Sequence, residues 1–456
     1  MESTAQPATG ASPARELLWS LDDLPEDALL QVLKYLHVED LLACRLVSRR
    51  LGDLALHPAV WRHVRLQAPS CPVMRLAPCL AILTVDNDET PCKHLHSTDC
   101  AVRQLNIECR DGVEASEMFQ LMKRQEALGR LRRLDLEFDY EINKPYEPFI
   151  LLKAPASISG LEFLNVTVGS VYANEYPFQQ CTVPSSLKEF WCTGEAGLGD
   201  FVCCVLATHA ATLEKISIEA PMWSPQTARS LGGVRNLHHL TCKLLPGMEA
   251  LAECGSLRIL FLSDSQWPSD RVQGVVQLLR RAHRLVDVSL RNGIEARSPG
   301  TIHAFAEMIK ALGWSGESCV VKLCIKVGVF YRRTDESDCY LPMRVALLNA
   351  LPRLPALRKL TLDWESDEIL PGITPETAPS LRSLDLALSS CAQAWMLNTA
   401  TRRLLSLNPS LHVQASHDLT GTIAWLFSHP QDQCPSEEYH APKEGWMQVP
   451  IDESLV

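Results

Sequence analysis

Aliphatic residues, mostly leucine, recur along the chain in a short pattern of the form L-x-x-L-x-L. Twelve copies lie over some 300 residues, and successive copies start about 20 to 37 residues apart. The alternation in the x-L-x-L part predicts a short strand with one face in the core. The first apolar residues of the copies are Leu80, Val102, Leu131, Leu161, Leu187, Leu213, Leu237, Leu257, Leu285, Val320, Leu357 and Leu381.

The segments that connect these copies show helical spacing instead. Apolar residues between Val272 and Leu279 share one helical face, and the segment from Ile302 to Leu312 ends at Gly313, a favourable C-terminal stop. Such repeating strand–helix units resemble leucine-rich repeats. We therefore expect an α/β fold, an irregular solenoid with parallel strands on a concave face and helices on a convex face.

The copies depart from the usual leucine-rich repeat in two ways. The asparagine or cysteine three residues after the last leucine is mostly missing, and Asp139, Glu195 and Gly293 take its place in three copies. That side chain normally bonds the backbone of the turn, so these turns must be satisfied otherwise or be looser. Long intervals before Val320 and Leu357 imply inserted loops, one of them the charged segment 331–342.

Residues 21 to 66, before the repeats, carry a separate helical pattern. Pro25 suits a first helical position, and Glu26 and Asp27 suit the positive end of a helix dipole. Leucines then recur at helical spacing through three short predicted helices, and Trp61 closes the unit. About 46 residues are too few to bury so many leucines, which implies a partner surface.

This unit resembles an F-box, through Leu-Pro, Leu-Leu, Tyr-Leu, Asp-Leu-Leu, Arg-Leu-Val-Ser-Arg-Arg and the closing tryptophan. An F-box followed by leucine-rich repeats is similar to the F-box/leucine-rich-repeat family of ubiquitin ligase receptors. The resemblance implies a Skp-type adaptor as partner and, through it, a cullin-RING scaffold. An ordinary three-helix N-terminal cap is the alternative interpretation of the unit. The residues expected at the adaptor are Leu24, Pro25, Leu29, Leu30, Leu33, Leu36, Leu41, Leu42, Val47 and Trp61.

The composition of the chain argues against several other classes of partner. The formal net charge is −11 and no long basic run occurs, which argues against nucleic acid or an anionic membrane. No apolar run approaches the 18 residues of a membrane span. The 17 cysteines are scattered and no signal-peptide core precedes them, so we expect reduced thiols and a cytoplasmic or nuclear location.

No catalytic motif with the right context is present, and we expect neither catalysis nor a cofactor. Gly194, Gly197 and Gly199 are too irregular for a dinucleotide loop. The best metal candidate is Cys92, His94, His96 and Cys100, four residues that could hold zinc tetrahedrally. Their spacing matches no common zinc module, and a polar loop with Cys100 turned inward is the favoured alternative.

The concave face is the expected functional surface, because the x positions of each copy point there. Most of these positions are charged, as in Arg133, Asp135 and Lys215. Large and partly apolar exceptions are candidate anchors for a target, since aromatic residues are enriched among interface hot spots. Burial under a loop or the C-terminal segment is the alternative. The candidates are Phe163, Trp191, His239, Ile259 and Phe261.

The sequence thus predicts four regions, which are a disordered leader 1–17, an F-box 18–66, a solenoid 67–427 and a mobile acidic tail 428–456. The predicted function is a substrate receptor of an SCF-type ubiquitin ligase, acting by proximity and not by bond chemistry. Two alternatives stay open. One is a repeat scaffold that binds the adaptor without delivering substrates, and the other, a metal-dependent enzyme, is less favoured.

Overall fold

The computed structural model describes 24–86, 92, 94–109, 115–138, 152–153, 155–169, 183–194, 198–219, 225–264, 267–292, 299–327, 340–363, 369–388, 395, 398–417, 423–427 and 446–448. The predicted leader, the first residues of the predicted F-box and most of the segment 428–456 lie outside the described residues. The charged insert does so too, except for its last three positions.

The chain begins with a compact helical unit of four short helices. The three predicted helices are present, and a fourth follows at Trp61. Ser48 caps the third helix, because its Oγ accepts a hydrogen bond from the Leu51 N–H at 3.2 Å. Trp61 is fully buried and its Nε1 donates to the Ala55 carbonyl at 2.6 Å, which fixes the last turn against the rest. The helices are α1 (Glu26–Leu33), α2 (Val38–Cys44), α3 (Arg49–Ala55) and α4 (Pro58–Trp61).

A sheet of sixteen strands in chain order runs through the rest of the described structure. All neighbouring pairs are parallel except β14 with β15. The twelve sequence copies coincide with β2 to β13, so the predicted solenoid is confirmed. The strands are β1 (Arg65–Leu66), β2 (Cys79–Asp86), β3 (Ala101–Cys109), β4 (Arg133–Phe138), β5 (Phe163–Val168), β6 (Glu189–Gly194), β7 (Lys215–Glu219), β8 (His239–Cys242), β9 (Ile259–Asp264), β10 (Asp287–Asn292), β11 (Lys322–Lys326), β12 (Lys359–Leu362), β13 (Ser383–Leu388), β14 (His412–His417), β15 (Ile423–Phe427) and β16 (Trp446–Gln448).

Helices connect many of these strands and pack on neighbouring helices in a second layer. The two helices predicted between Val272 and Gly313 are present as α9 and α10. None of the helices in the described ranges is long and apolar enough to cross a membrane. The helices are α5 (Cys71–Leu76), α6 (Ala115–Ala127), α7 (Gly199–His209), α8 (Pro225–Gly232), α9 (Ser269–Arg281), α10 (Pro299–Leu312), α11 (Leu341–Ala350) and α12 (Thr399–Leu407), with 3-10 helices Met248–Glu253, Leu351–Arg353 and Leu370–Gly372.

The core lies between the sheet and the helices. The leucines of the sequence pattern point into it, and Leu164, Leu240 and Leu360 are examples with at most 1% exposure. Phe201 and Phe305 fill the helix side of the same core. Because each strand alternates its side chains, the positions between these leucines form the opposite face of the sheet, here called the open face.

Side chains near the ends of several strands hydrogen-bond the backbone just beyond the end of a neighbouring strand. Asp264 accepts a hydrogen bond from the Leu244 N–H at 3.1 Å, and Asp363 accepts one from the Val327 N–H at 2.7 Å. Asn292 donates to the Val327 carbonyl at 3.2 Å. These residues lie one or two positions after the last leucine, and not three, so they are shifted from the usual place of the asparagine. Asp139, Glu195 and Gly293, which take that place in three copies, lie outside the described residues.

The C-terminal end of the sheet extends further than the sequence pattern. Strand β14 continues the parallel order, β15 turns back antiparallel beside it, and β16 adds a parallel partner to β15. Within the predicted mobile acidic tail 428–456, the structure describes only Trp446–Gln448, which forms β16.

The helical unit is joined directly to the sheet. Its chain continues into β1, which pairs with β2, and Val64 accepts hydrogen bonds from the Ala81 and Ile82 N–H groups. The Cys79 thiol also donates to the Pro58 carbonyl at 3.7 Å. These contacts tie the orientation of the unit to the first strands of the solenoid.

Candidate functional site

The open face carries rows of side chains that run across the strands at matched register positions. The first row precedes the central leucine of each strand and contains Arg133, Phe163, Glu189, Lys215, His239, Ile259, Asp287, Lys322 and Lys359. The second row follows that leucine and contains Asp135, Asn165, Trp191, Ser217, Thr241, Phe261 and Ser289.

Phe163 and Trp191 form the first aromatic pair on this face. Their ring centroids are 5.6 Å apart and the rings meet edge to face at 65°. The guanidinium carbon of Arg133 lies 4.0 Å from the centroid of the Phe163 ring. Phe163 is consequently 7% exposed, whereas Trp191 is 45% exposed. Trp191 is therefore the exposed member of the pair, and Phe163 supports it from below.

His239 on β8 and Phe261 on β9 form a second aromatic pair. Like the first pair, it joins a first-row residue to a second-row residue of the following strand, and strand β7 lies between the two pairs. Their centroids are 5.3 Å apart at an interplanar angle of 76°. Ile259 lies between His239 and Asp287 in the first row, and all three are partly buried. The guanidinium carbon of Arg291 lies 6.0 Å from the Phe261 centroid, at the edge of cation–π range.

The five predicted target-binding residues thus form two clusters and not one continuous patch. Strand β7 separates the clusters, and there Lys215 makes an ion pair with Glu189 at 3.1 Å. All five lie on the open face, as the alternation predicted, but Phe163 is buried beneath its neighbours and is unsuited to direct contact. Whether the other four bind a target stays a prediction.

Burial and neighbouring charges shift several pKa values on this face. Burial lowers the pKa of His239 below its ordinary value, and the nearby charges of His238 and Lys215 lower it further. The lowered pKa favours the neutral form of the His239 ring, which meets Phe261 edge to face. Burial raises the pKa of Asp287, with Lys322 opposing that rise. Burial likewise raises the pKa of Asp135, although its Oδ1 accepts a hydrogen bond from Asn165 at 2.8 Å.

In the helical unit, several predicted adaptor residues form its internal core. A buried side chain supports a binding surface and does not itself contact a partner in this conformation, so these residues have a structural role. Leu24, Leu30, Leu36 and Leu42 are partly buried, and Pro25 and Val47 are exposed. The fully buried members of the predicted set are Leu29, Leu33, Leu41 and Trp61.

The exposed apolar side chains of the helical unit are mostly residues that were not among the predicted adaptor-binding residues. Leu46 is 88% exposed, Tyr35 87% and Val47 71%, and Val32 is also exposed. Sequence reasoning missed Val32, Tyr35 and Leu46 because it followed the leucine stripe that faces the core. Apolar residues off that stripe were the available signal, since an amphipathic helix normally carries polar residues there.

The zinc candidates are not gathered around one point. The Cys92 thiol is buried and hydrogen-bonds with Cys71, whereas His96 Nε2 lies 3.2 Å from Glu117 Oε2. Burial raises the pKa of the Cys100 thiol to about 12. Across the described ranges, no three His, Cys, Asp or Glu side chains are arranged to hold a metal ion.

Comparison with known proteins identifies the helical unit. The family described as F-box-like matches residues 21–67. No match was found among curated proteins. An internalin from Listeria monocytogenes str. 4b F2365 is a similar solved structure, with 12% identity, 68% of this chain and 87% of that chain covered, and a TM-score of 0.31. The chain therefore carries an F-box-like domain, which is an interaction module, and the strand order itself defines the solenoid.

Proposed function

We propose that this protein is the substrate-recognition subunit of an SCF-type ubiquitin ligase in the cytoplasm or nucleus. The observation that carries the proposal is the F-box-like domain at 21–67, together with its exposed Tyr35, Leu46 and Val47. Several exposed apolar side chains on so small a unit favour a protein partner. In F-box proteins that partner is a Skp-type adaptor, which connects to a cullin-RING scaffold.

The solenoid supplies the second half of the proposed role. Its open face presents Trp191 and the His239–Phe261 pair, and these groups are suited to hold a target protein. Because β1 and α4 join the helical unit to the sheet, a target on the open face would keep a defined position relative to the adaptor. Proximity and orientation would then account for the rate of ubiquitin transfer, without catalytic groups on this chain.

Co-purification with a Skp-type adaptor tests the first half of the proposal. Leu46→Asp places a charge in the proposed contact and should remove adaptor binding, while the unit keeps its fold because Leu46 is 88% exposed. Val345→Asp is the matched control, since Val345 is an exposed apolar residue on helix α11 of the solenoid. Adaptor binding by the Leu46 variant at the wild-type level would contradict the proposal.

A reconstituted ubiquitination assay separates the receptor from a scaffold that only binds the adaptor. A receptor should transfer ubiquitin to captured proteins, and this transfer should be lost in Leu46→Asp and kept in Val345→Asp. Adaptor binding without any transfer would favour the scaffold.

A further inference from the structure

Strands β10, β11 and β12 carry like charges at directly opposed positions of the open face. Arg291 pairs in register with Lys326, and Lys322 pairs with Lys359. Like charges directly opposite one another destabilise a sheet. The cluster of Arg291, Lys322, Lys326 and Lys359, here called the basic block, is therefore an arrangement that the fold alone does not favour.

Neighbouring groups compensate only part of this charge. Lys359 makes an ion pair with Asp385 at 2.7 Å, and Asp287 lies beside Lys322 in register. Arg291 donates from Nε to the Ser289 Oγ at 3.0 Å, a neutral acceptor. Among the residues that the structure describes, no carboxylate lies within ion-pair distance of Arg291, Lys322 or Lys326. An anion from outside the chain would complete the arrangement.

The basic block adjoins the second aromatic pair, so charge and apolar surface meet in one place. Ile259 is the register partner of Asp287, and Arg291 lies 6.0 Å from the Phe261 ring. Strands β8 to β12 span four steps, or about 20 Å. An extended peptide covers that distance with about six residues.

The other half of the open face is mixed in charge, with Arg133 and Lys215 among several carboxylates, and it includes a directly opposed pair of carboxylates. Glu108 on β3 is the register partner of Glu137 on β4. A long polyanion laid across the whole face would therefore meet carboxylates at its far end. This distribution, with the net charge of −11, disfavours a nucleic acid and favours a short acidic segment confined to β8–β12.

We propose that strands β8–β12 bind a short acidic peptide segment that carries one large apolar side chain. Its anionic groups lie against Arg291, Lys322 and Lys326, and its apolar side chain lies against the His239–Phe261 pair. The proposal rests on the proposed function, in that the peptide belongs to a captured target. The anions are carboxylates or phosphates, because the basic block would take either.

Selection from a random library of displayed 12-residue peptides tests this proposal with the purified full-length chain. We expect enriched peptides that combine Asp or Glu with an aromatic or large aliphatic residue. Synthetic copies of the enriched peptides should bind at least tenfold more weakly to the Lys322→Glu/Lys326→Glu variant than to the wild-type chain. Copies in which Gln replaces the acidic residues should lose binding to the wild-type chain to a similar extent. Copies with phosphoserine at one acidic position distinguish the two anion sources.

Two further variants control for charge and for folding. Lys310→Glu/Arg353→Glu changes the formal charge by the same amount on exposed helical residues and should leave binding within twofold. If the charge reversal on β11 unfolds the chain, Lys322→Gln/Lys326→Gln gives the same readout without new charge. Phe261→Ala should weaken the same peptides by at least fivefold.

Three outcomes would overturn the proposal: no enrichment, enrichment without acidic residues, or equal binding to wild type and the β11 variants. Displacement of the peptides by an equimolar 20-nucleotide single strand would point to nucleic acid instead and would also overturn it. Adaptor co-purification of the same proteins keeps the two proposals apart. If adaptor binding is intact and acidic peptides are not selected, the peptide proposal alone fails.

Discussion

Arg133 and Phe163 are direct register partners on β4 and β5, and the Arg133 guanidinium carbon lies 4.0 Å from the centroid of the Phe163 ring. This stack, together with the edge contact from Trp191, covers Phe163 almost completely. The exposed part of the cluster is Trp191, which packs edge to face on the buried Phe163. A partly exposed tryptophan is the kind of side chain that dominates binding at interfaces.

Trp191→Ala should weaken target capture by about 1 to 3 kcal/mol, the range for truncation of an interface anchor. Quantitative pull-down of captured proteins measures the loss. Trp314→Ala is the matched control, because Trp314 is 61% exposed and stacks under Arg280 at 4.5 Å after helix α10, away from the open face. Equal losses from both variants would show that exposed tryptophan in general, and not the Phe163–Trp191 pair, is responsible.

Leu33→Asp should unfold the helical unit and thereby remove adaptor binding. Leu33 is buried, and an unpaired carboxylate at that position is costly. Hydrogen exchange should rise across α1–α4 while β5–β13 stay protected, since a solenoid couples mainly to its neighbours. Normal protection of α1–α4 in this variant, or continued adaptor binding, would contradict the assignment of Leu33 to the core.

The leucine repeat predicted the solenoid because strand alternation and burial depend on the same local pattern. Strand β14 escaped prediction because Val413 and Ala415 take the places of the leucines, and alanine gives a weak apolar signal. The alternation of apolar and polar residues also predicted the face of the sheet on which Phe163 lies. It could not predict that Arg133 covers the Phe163 ring, since Arg133 belongs to another repeat. In the helical unit, the spacing of the leucines predicted the core residues but did not indicate that Tyr35 and Leu46 are exposed.

The cysteines offer a test of burial. Cys319 is exposed, whereas burial raises the pKa of Cys192 to about 12 and that of Cys100 to about 12. A maleimide at pH 8 should label Cys319 in the native protein and reach Cys100 and Cys192 only after unfolding, because the thiolate is the reactive form. Mass spectrometry of the peptides gives the order in which the cysteines are labelled. Early labelling of Cys192 would contradict its place in the core of β6.

Acid should destabilise the protein through His209. Its buried Nδ1 accepts hydrogen bonds from the Ser186 and Leu187 N–H groups at 3.3 and 3.4 Å, and burial lowers its pKa to about 4. In the unfolded chain this histidine binds a proton near pH 6.5, so the contribution of neutral His209 to the free energy of unfolding is complete above that pH. It falls as pH drops towards 4, by on the order of 3 kcal/mol.

His209→Gln should flatten this dependence, since glutamine does not titrate. Thermal unfolding between pH 7.5 and 4.5 measures the slope for both proteins. The variant is expected to be less stable at pH 7.5 but to lose less on acidification. Parallel curves for wild type and variant would show that other groups govern the acid response.

Asp363 provides a test of the shifted turn residues. Its carboxylate accepts from the buried Val327 N–H at 2.7 Å and joins the end of β12 to the end of β11. Asp363→Ala leaves that N–H without its partner and should cost about 1 to 3 kcal/mol. Asp363→Asn keeps an acceptor oxygen and should cost less. The change should be local, with faster hydrogen exchange at Val327 and its neighbours on β11 and little effect on β2–β6, because each repeat contacts chiefly its neighbours. If alanine and asparagine have the same effect on exchange at Val327, the hydrogen bond is not what holds this turn.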